Sequence, residues 1–263
     1  MSPSNLFFWS GVFLTGTSIV SAQLDNANAR DMFFAGLKKS SAQQAARKTP
    51  AKKAPELPAP AVAPPRPTSE VNVAKYEPAP LGIRYTVVDP KGRELPADSV
   101  FRSGDQIRLT VEVNDSGHLY IVHQGSSGNW QLMFPSHDTG FANSVAPGRK
   151  YVLPPDSVFT FIGQPGVEKL FLVLSRTPEL ALDELIDAIR GGRPGASGTT
   201  LVASAKPIEN ALVDRLRTSY SRDLIVQKIK DDQTKTAESA VYVVNPTGKA
   251  DSRVVADIHL VHR

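Results

Sequence analysis

Residues 117–136, GHLYIVHQGSSGNWQLMFPS, read as two apolar strands, 118–124 and 130–135, joined by a loop of Gly125, Ser126, Ser127 and Gly128. Glycines between two β-rich runs are a hairpin signal. In the first strand Leu119 and Ile121 share one face and Tyr120 and Val122 the other. That strand is therefore expected to be central and covered on both sides. Upstream, residues 106–114 alternate, with Ile107, Leu109, Val111 and Val113 on one face and Gln106, Arg108, Thr110 and Glu112 on the other. One face is buried and one is wet. Asn114, Asp115, Ser116 and Gly117 form a turn cluster, so the three strands are predicted to run as an antiparallel meander.

Working outward, residues 83–88, 151–153 and 158–162 read as short strands, Val100 and Phe101 lead into a turn at Ser103, Gly104 and Asp105, and 168–176 (EKLFLVLSR) reads as a second central strand. Between them, 137–150 is a long connection rich in Gly, Ser, Asn and Pro. Loops of that length in compact domains often carry function. The period then changes. Thr177-Pro178-Glu179 starts a helix with Leu182, Leu185, Ile186 and Ile189 on one stripe, and Pro207 opens another with Ile208, Leu212, Leu216 and Tyr220. Strands at 223–229, 240–244 and 253–261 finish the chain. The fold class is mainly β: an antiparallel β-sandwich-like domain over 81–263 with two inserted amphipathic helices.

The first 80 residues lack such patterning. Residues 6–20 (LFFWSGVFLTGTSIV) form an uncharged apolar run, and Val20, Ser21 and Ala22 supply small residues for cleavage between Ala22 and Gln23. This reads as a signal peptide over 1–22, although no Lys or Arg precedes the run. Retention as an anchor is the alternative, and 15 residues are short for a hydrocarbon core of about 30 Å. Ala29, Met32, Phe33 and Leu37 fall at helical spacing, so a short helix is expected over 28–39, docked on the domain or frayed, with a membrane-surface or partner contact as the alternative. Lys38, Lys39, Arg47, Lys48, Lys52 and Lys53 follow, and residues 50–80 hold 9 prolines. Proline fixes φ and removes donors, so 23–80 reads as a basic, disordered tether. In a polyproline II conformation the proline-rich part would reach roughly 95 Å.

Charge and composition exclude several classes. Residues 81–263 carry 21 basic and 21 acidic side chains, and the surplus lies upstream, 9 against 5. A neutral folded part argues against a nucleic-acid partner. There is no cysteine, which removes disulfides, thiolate catalysis and Cys-ligated zinc. His118 and His123 lie five apart on one strand and point to opposite faces, as do His259 and His262. His123, His137 and Asp138 converge only if the long loop folds back, which would allow a metal-assisted or general-acid hydrolase. Ser126 and Ser127 lack a nucleophile elbow, and residues 191–198 have neither GxGxxG nor a P-loop lysine. No catalytic residue and no cofactor is expected. Trp130, Met133 and Phe134 read as core packing, with an aromatic sugar platform as the minor alternative.

Gly104-Asp105, the 117–136 run, Asn143, YVLP at 151–154 and PGVEKLFLVLSR together resemble the bacterial family catalogued as domain of unknown function 4384, over roughly residues 82–178. The stretches RDLIVQKIKDD and AVYVVNPTGKADSRVVADIHLVHR look like the C-terminal extension of exported single-domain members. The resemblance implies a β-rich envelope-associated module, found alone or beside peptidase-like and kinase-like domains, with no established activity and no catalytic residues to carry over. The expectation is a periplasmic or secreted, non-enzymatic module that binds envelope protein or cell-wall polymer through its sheet edge or the 137–150 loop. Self-association is the third possibility.

Overall fold

Strips of apolar side chains at period two need a facing surface, and the chain meets that need with two sheets packed face to face. The first holds, in spatial order, β11 (Ile225–Ile229), β12 (Ala240–Asn245), β1 (Leu81–Val88), β4 (Gln106–Val113) and β8 (Lys150–Leu153). Two-residue strands β2 (Glu94–Leu95) and β9 (Phe159–Thr160) pair with β1 and β4. The second sheet orders β3 (Val100–Phe101), β13 (Arg253–His262), β10 (Gly166–Ser175), β5 (Gly117–Gln124) and β6 (Trp130–Phe134), with β7 (Ser144–Val145) on β5. The architecture comes from a computed structural model that describes residues 28–48, 79–125, 128–190, 208–229 and 238–263. The expected leader, Ala22, Gln23, Ser126, Ser127 and the 191–198 glycine segment lie outside the described residues.

The central core forms between the sheets from the inward parity of each strand. Ile83, Tyr85 and Val87 meet Leu109, Val111 and Val243 on one side, and Leu119, Ile121, Leu170, Leu172, Val254 and Ile258 on the other. Burial pushes the Tyr85 phenol up to about 12, because its ionised form would lose its water. The outward parity of β5 and β10 is equally apolar, and helices cover it. Leu182 and Ile186 of α2 (Leu180–Arg190) and Val213 and Leu216 of α3 (Asn210–Tyr220) pack on Tyr120, Val122, Phe171 and Val173. The expected central position of β5 is observed: it lies between β10 and β6.

Three expectations are corrected. The meander does not form, because β4 and β5 belong to different sheets and residues 114–116 carry the chain across the sandwich. Asn114 and Asp115 are buried there. Asn114 accepts from the Gly82 N–H (2.7 Å) and donates to the Pro80 carbonyl (2.9 Å) and the Phe33 carbonyl (3.3 Å). Asp115 pairs with Arg176 (3.0 Å) and accepts from the Ser40 hydroxyl (3.1 Å). Polar partners thus pay the desolvation cost of a buried crossover.

Second, the N-terminal helix, α1 (Ala29–Lys48), runs past residue 39 and is packed on the outer face of the first sheet. Ala29 and Phe33 are fully buried against Ala240, Tyr242 and Val244, with the Phe33 and Tyr242 rings edge to face at 5.5 Å. Residues 29–48 of the expected tether are therefore part of the folded body, and 23–27 and 49–78 lie outside the described residues. Only six residues separate Ala22 from α1, and the stretch 49–78 joins two anchored points, the end of α1 and Ala79.

Third, α3 starts at Asn210, and Ile208 instead bridges to Trp130, its N–H donating to the Trp130 carbonyl (3.1 Å). The strand expected over 158–162 is limited to Phe159–Thr160, and the one expected from 223 begins at Ile225 after Asp223 turns at φ 62°. The result is four layers: α1, two sheets, then α2 with α3.

Candidate functional site

Apolar and polar contacts close the 137–150 connection on its side facing Tyr120 and α2, while its other side borders a hollow of about 350 Å³ lined by Thr139, Arg149 and Tyr151. Residues His137–Thr139 make a 3-10 turn that ends at Gly140 and Phe141, both with positive φ (59° and 57°). A left-handed phenylalanine costs on the order of 1–3 kcal/mol. Its half-buried ring packs against the Tyr120, Trp130 and Leu182 cluster, which offsets part of that cost. Asn143 then pins the loop: its carbonyl accepts from the Leu119 N–H (2.9 Å), and its side chain reaches Asp183 (3.3 Å) and His118 (3.3 Å). The Tyr120 hydroxyl donates to Asp183 (2.7 Å) and accepts from the Glu179 N–H (2.9 Å), holding the start of α2. Burial, with the neighbouring Asp183 carboxylate, raises the Tyr120 phenol.

The seal also separates the expected hydrolase residues. His137 and Asp138 follow the far end of β6, beside the start of β5, where Gly117 and His118 pair with β7. His123 lies near the end of β5, opposite Gln131. Five strand steps, roughly 16 Å, separate His118 from His123. The structure does not bring His123 together with His137 and Asp138, and no group of three His, Cys, Asp or Glu able to hold a metal occurs among the described residues. His118 and His123 do point to opposite faces, and so do buried His262 and exposed His259.

His123 has a different partner. Its inward parity on β5 matches that of Glu168 on β10, where Leu170 is the residue opposite His123. Glu168 is thus the diagonal neighbour on the same face, and its Oε2 lies 2.8 Å from His123 Nε2. The pair sits at the mouth of the sandwich, where β9 crosses from the first sheet: Gln106 and Ile107 pair with Thr160 and Phe159. The Phe159 ring is tilted against the His123 ring at 5.8 Å. The hollow between them has a volume of about 260 Å³ and is bounded by the hairpin residues Gly125, Asn129 and Gln131 and by Thr160 and Ile162. Leu170, Leu260 and Phe161 form its apolar floor. A Cβ on Gly125 would stand 3.1 Å from Glu168 Oε2, so glycine lets the hairpin close over the carboxylate.

This combination of an apolar floor and convergent polar groups is the chemistry of a binding pocket. A carboxylate-oriented imidazole is also half of a catalytic triad, but among the described residues His123 hydrogen-bonds only to Glu168. Elsewhere the charged clusters are self-contained. Arg84 is ringed by Glu94, Glu112 and Glu238 at 2.9–3.1 Å. Burial disfavours its charge, yet the hydrogen bond to Glu94 and the contacts with Tyr242 more than compensate and raise its pKa. Burial likewise works against the Glu238 carboxylate, while Tyr242 and Arg84 hold its pKa below the usual value.

Comparison with known families matches residues 100–178 to a model described as a domain of unknown function, DUF4384. The match runs from β3 to the residue before Glu179, taking in His123, Glu168, Asp115 and Arg176. No curated protein and no solved structure matches the chain. No helix among the described residues is long and apolar enough to cross a membrane.

Proposed function

We propose that this chain, which carries a DUF4384 domain, is an exported, non-enzymatic module that binds a partner in the cell envelope. The observation that carries the reading is the contrast between the two candidate places. Toward Tyr120 the long loop is plugged by Phe141 and Asn143, and the hollow of about 350 Å³ on its other side, beside Thr139, Arg149 and Tyr151, is lined by no histidine or carboxylate. The sandwich mouth, in contrast, keeps His123, Glu168 and Gln131 around its hollow. A cell-wall polymer is favoured over an extended protein strand. The β6 edge, which such a strand would extend, is already met by Ile208 at Trp130.

Export rests on the apolar run at 6–20 and the small residues before Gln23, and it sets the compartment as periplasm or cell exterior. The docked α1 changes how the module is held. Six residues span at most about 20 Å, so a retained leader would keep the folded body close to the membrane, without a long reach.

The test uses the full chain expressed with its leader. Purified protein is mixed with sedimented cell-wall polymer and, separately, used as bait against solubilised envelope fractions. The expected result is saturable co-sedimentation with the wall. Recovery in the supernatant together with an empty pull-down would overturn the reading.

A further inference from the structure

We infer that the hollow at the sandwich mouth takes one ring of a neutral glycan, with Glu168 and Gln131 bonding its hydroxyl or amide rim and the Phe159 ring lying against a C–H face. This rests on the envelope-binding reading above and names its ligand class. The charge balance comes first. His123 Nε2 and Glu168 Oε2 bond each other at 2.8 Å, and Lys169, next along β10, has the opposite parity and lies with Gln124 and His259 on the outer face. An anionic ligand would meet the Glu168 carboxylate in a hollow lined by no lysine or arginine. A metal ion would find too few ligands, since no suitable group of three exists among the described residues.

Shape and polarity narrow the choice further. Above the buried floor of Leu170, Leu260 and Phe161, exposed Ile162 and the half-buried Phe159 ring give the hollow apolar surface that favours a ligand with an apolar face. The Phe161 ring is fixed by stacking on Phe101 at 4.6 Å, so the floor is rigid. The rim is polar: Glu168 Oε1, His123 Nδ1 and the Gln131 amide make no hydrogen bond among the described residues. A carboxylate accepts hydroxyl donors, and a primary amide both donates and accepts. A pyranose ring presents that combination, with hydroxyls at its edge and C–H groups on its faces. At about 260 Å³ the hollow lies below the usual range for drug-sized ligands, roughly 300–1,000 Å³, so the rest of a polymer stays outside.

The experiment is calorimetric titration of the full chain with three soluble probes: a neutral N-acetylglucosamine tetramer, an acidic galacturonate tetramer and an alanine tetrapeptide. Saturable heat with the neutral sugar alone is expected. Glu168→Gln should weaken it about 10-fold, because a hydrogen bond to a charged group is lost. Gly125→Val should abolish it by filling the mouth, and exposed Gln131→Ala, which carries no folding risk, should weaken it several-fold. Equal binding of the acidic sugar, or neutral-sugar binding that ignores both Gly125→Val and Gln131→Ala, would overturn the assignment. If no sugar binds while wall sedimentation persists, the glycan site fails and the envelope module stands. If both fail, both readings fall.

Discussion

Replacing Arg176 with methionine is expected to cost about 3–5 kcal/mol of unfolding free energy, enough to leave the chain largely unfolded at 37 °C if its stability is ordinary. Both side chains of the Arg176–Asp115 pair are only 6% exposed. Arg176 bonds Asp115 through Nε and Nη2, the Lys249 carbonyl through Nη1 (2.6 Å), and the Ala79 carbonyl. One guanidinium therefore ties the end of β10 to the crossover, the β12–β13 turn and the chain entering β1. Removing it strands a buried carboxylate, and that penalty exceeds the net worth of the pair. Adding Asp115→Asn removes the stranded charge, so the double variant should recover at least about 1 kcal/mol. Arg176→Lys should rescue little, because one ammonium cannot supply the fork. Urea unfolding decides the matter: a loss below about 1 kcal/mol for Arg176→Met contradicts this account of the crossover.

A second large effect is expected at Gly36, where α1 meets the first sheet. A Cβ there would press into Asn114 Nδ2 and stand 3.0 Å from the Pro80 carbonyl, both held by the Asn114 hydrogen bonds. Neither neighbour is a flexible side-chain end. Gly36→Val should lift α1 from the sheet, exposing Phe33 and leaving Tyr242 and Val244 uncovered. Burial of a phenylalanine contributes about 1.5–3 kcal/mol, so the helix cannot hold on through the remaining contacts alone. Amide exchange within 29–48 should accelerate by at least tenfold, while β5, β10 and β13 keep their protection. Ala35→Val, exposed on the same helix, carries a helix-propensity cost that Gly36→Val does not, and should still leave exchange nearly unchanged. Unchanged protection in Gly36→Val would contradict the four-layer architecture.

Period-two burial made most strands legible, and the two-sided burial of β5 and β10 followed from residues 119–122 and 170–174 alone. What that period cannot tell is which strand lies beside which. β4 and β5 read as neighbours because a turn joins them, yet Asn114 and Asp115 are buried linkers whose partners lie at Phe33, Gly82 and Arg176. Long-range hydrogen bonds leave no local pattern. The length of α1 was hidden for a related reason. Its buried face is Ala29, Phe33, Gly36 and Ser40, and the last two do not count as apolar. Small residues at helical spacing were the available signal for close packing. At the mouth, the parity of Glu168 with Leu170, Leu172 and Leu174, and of His123 with Leu119 and Ile121, marks two polar groups on core-facing positions. That signal was present. Their mutual contact was not, since 45 residues separate them.

Binding at the sandwich mouth is tested most directly by a hydrogen-exchange footprint of the full chain with and without sedimented cell-wall polymer. The account predicts new protection confined to peptides spanning 123–131, 159–162 and 168–170, with α1 and the 137–150 loop unchanged. Protection confined to α1 or the long loop, or none anywhere, would contradict it.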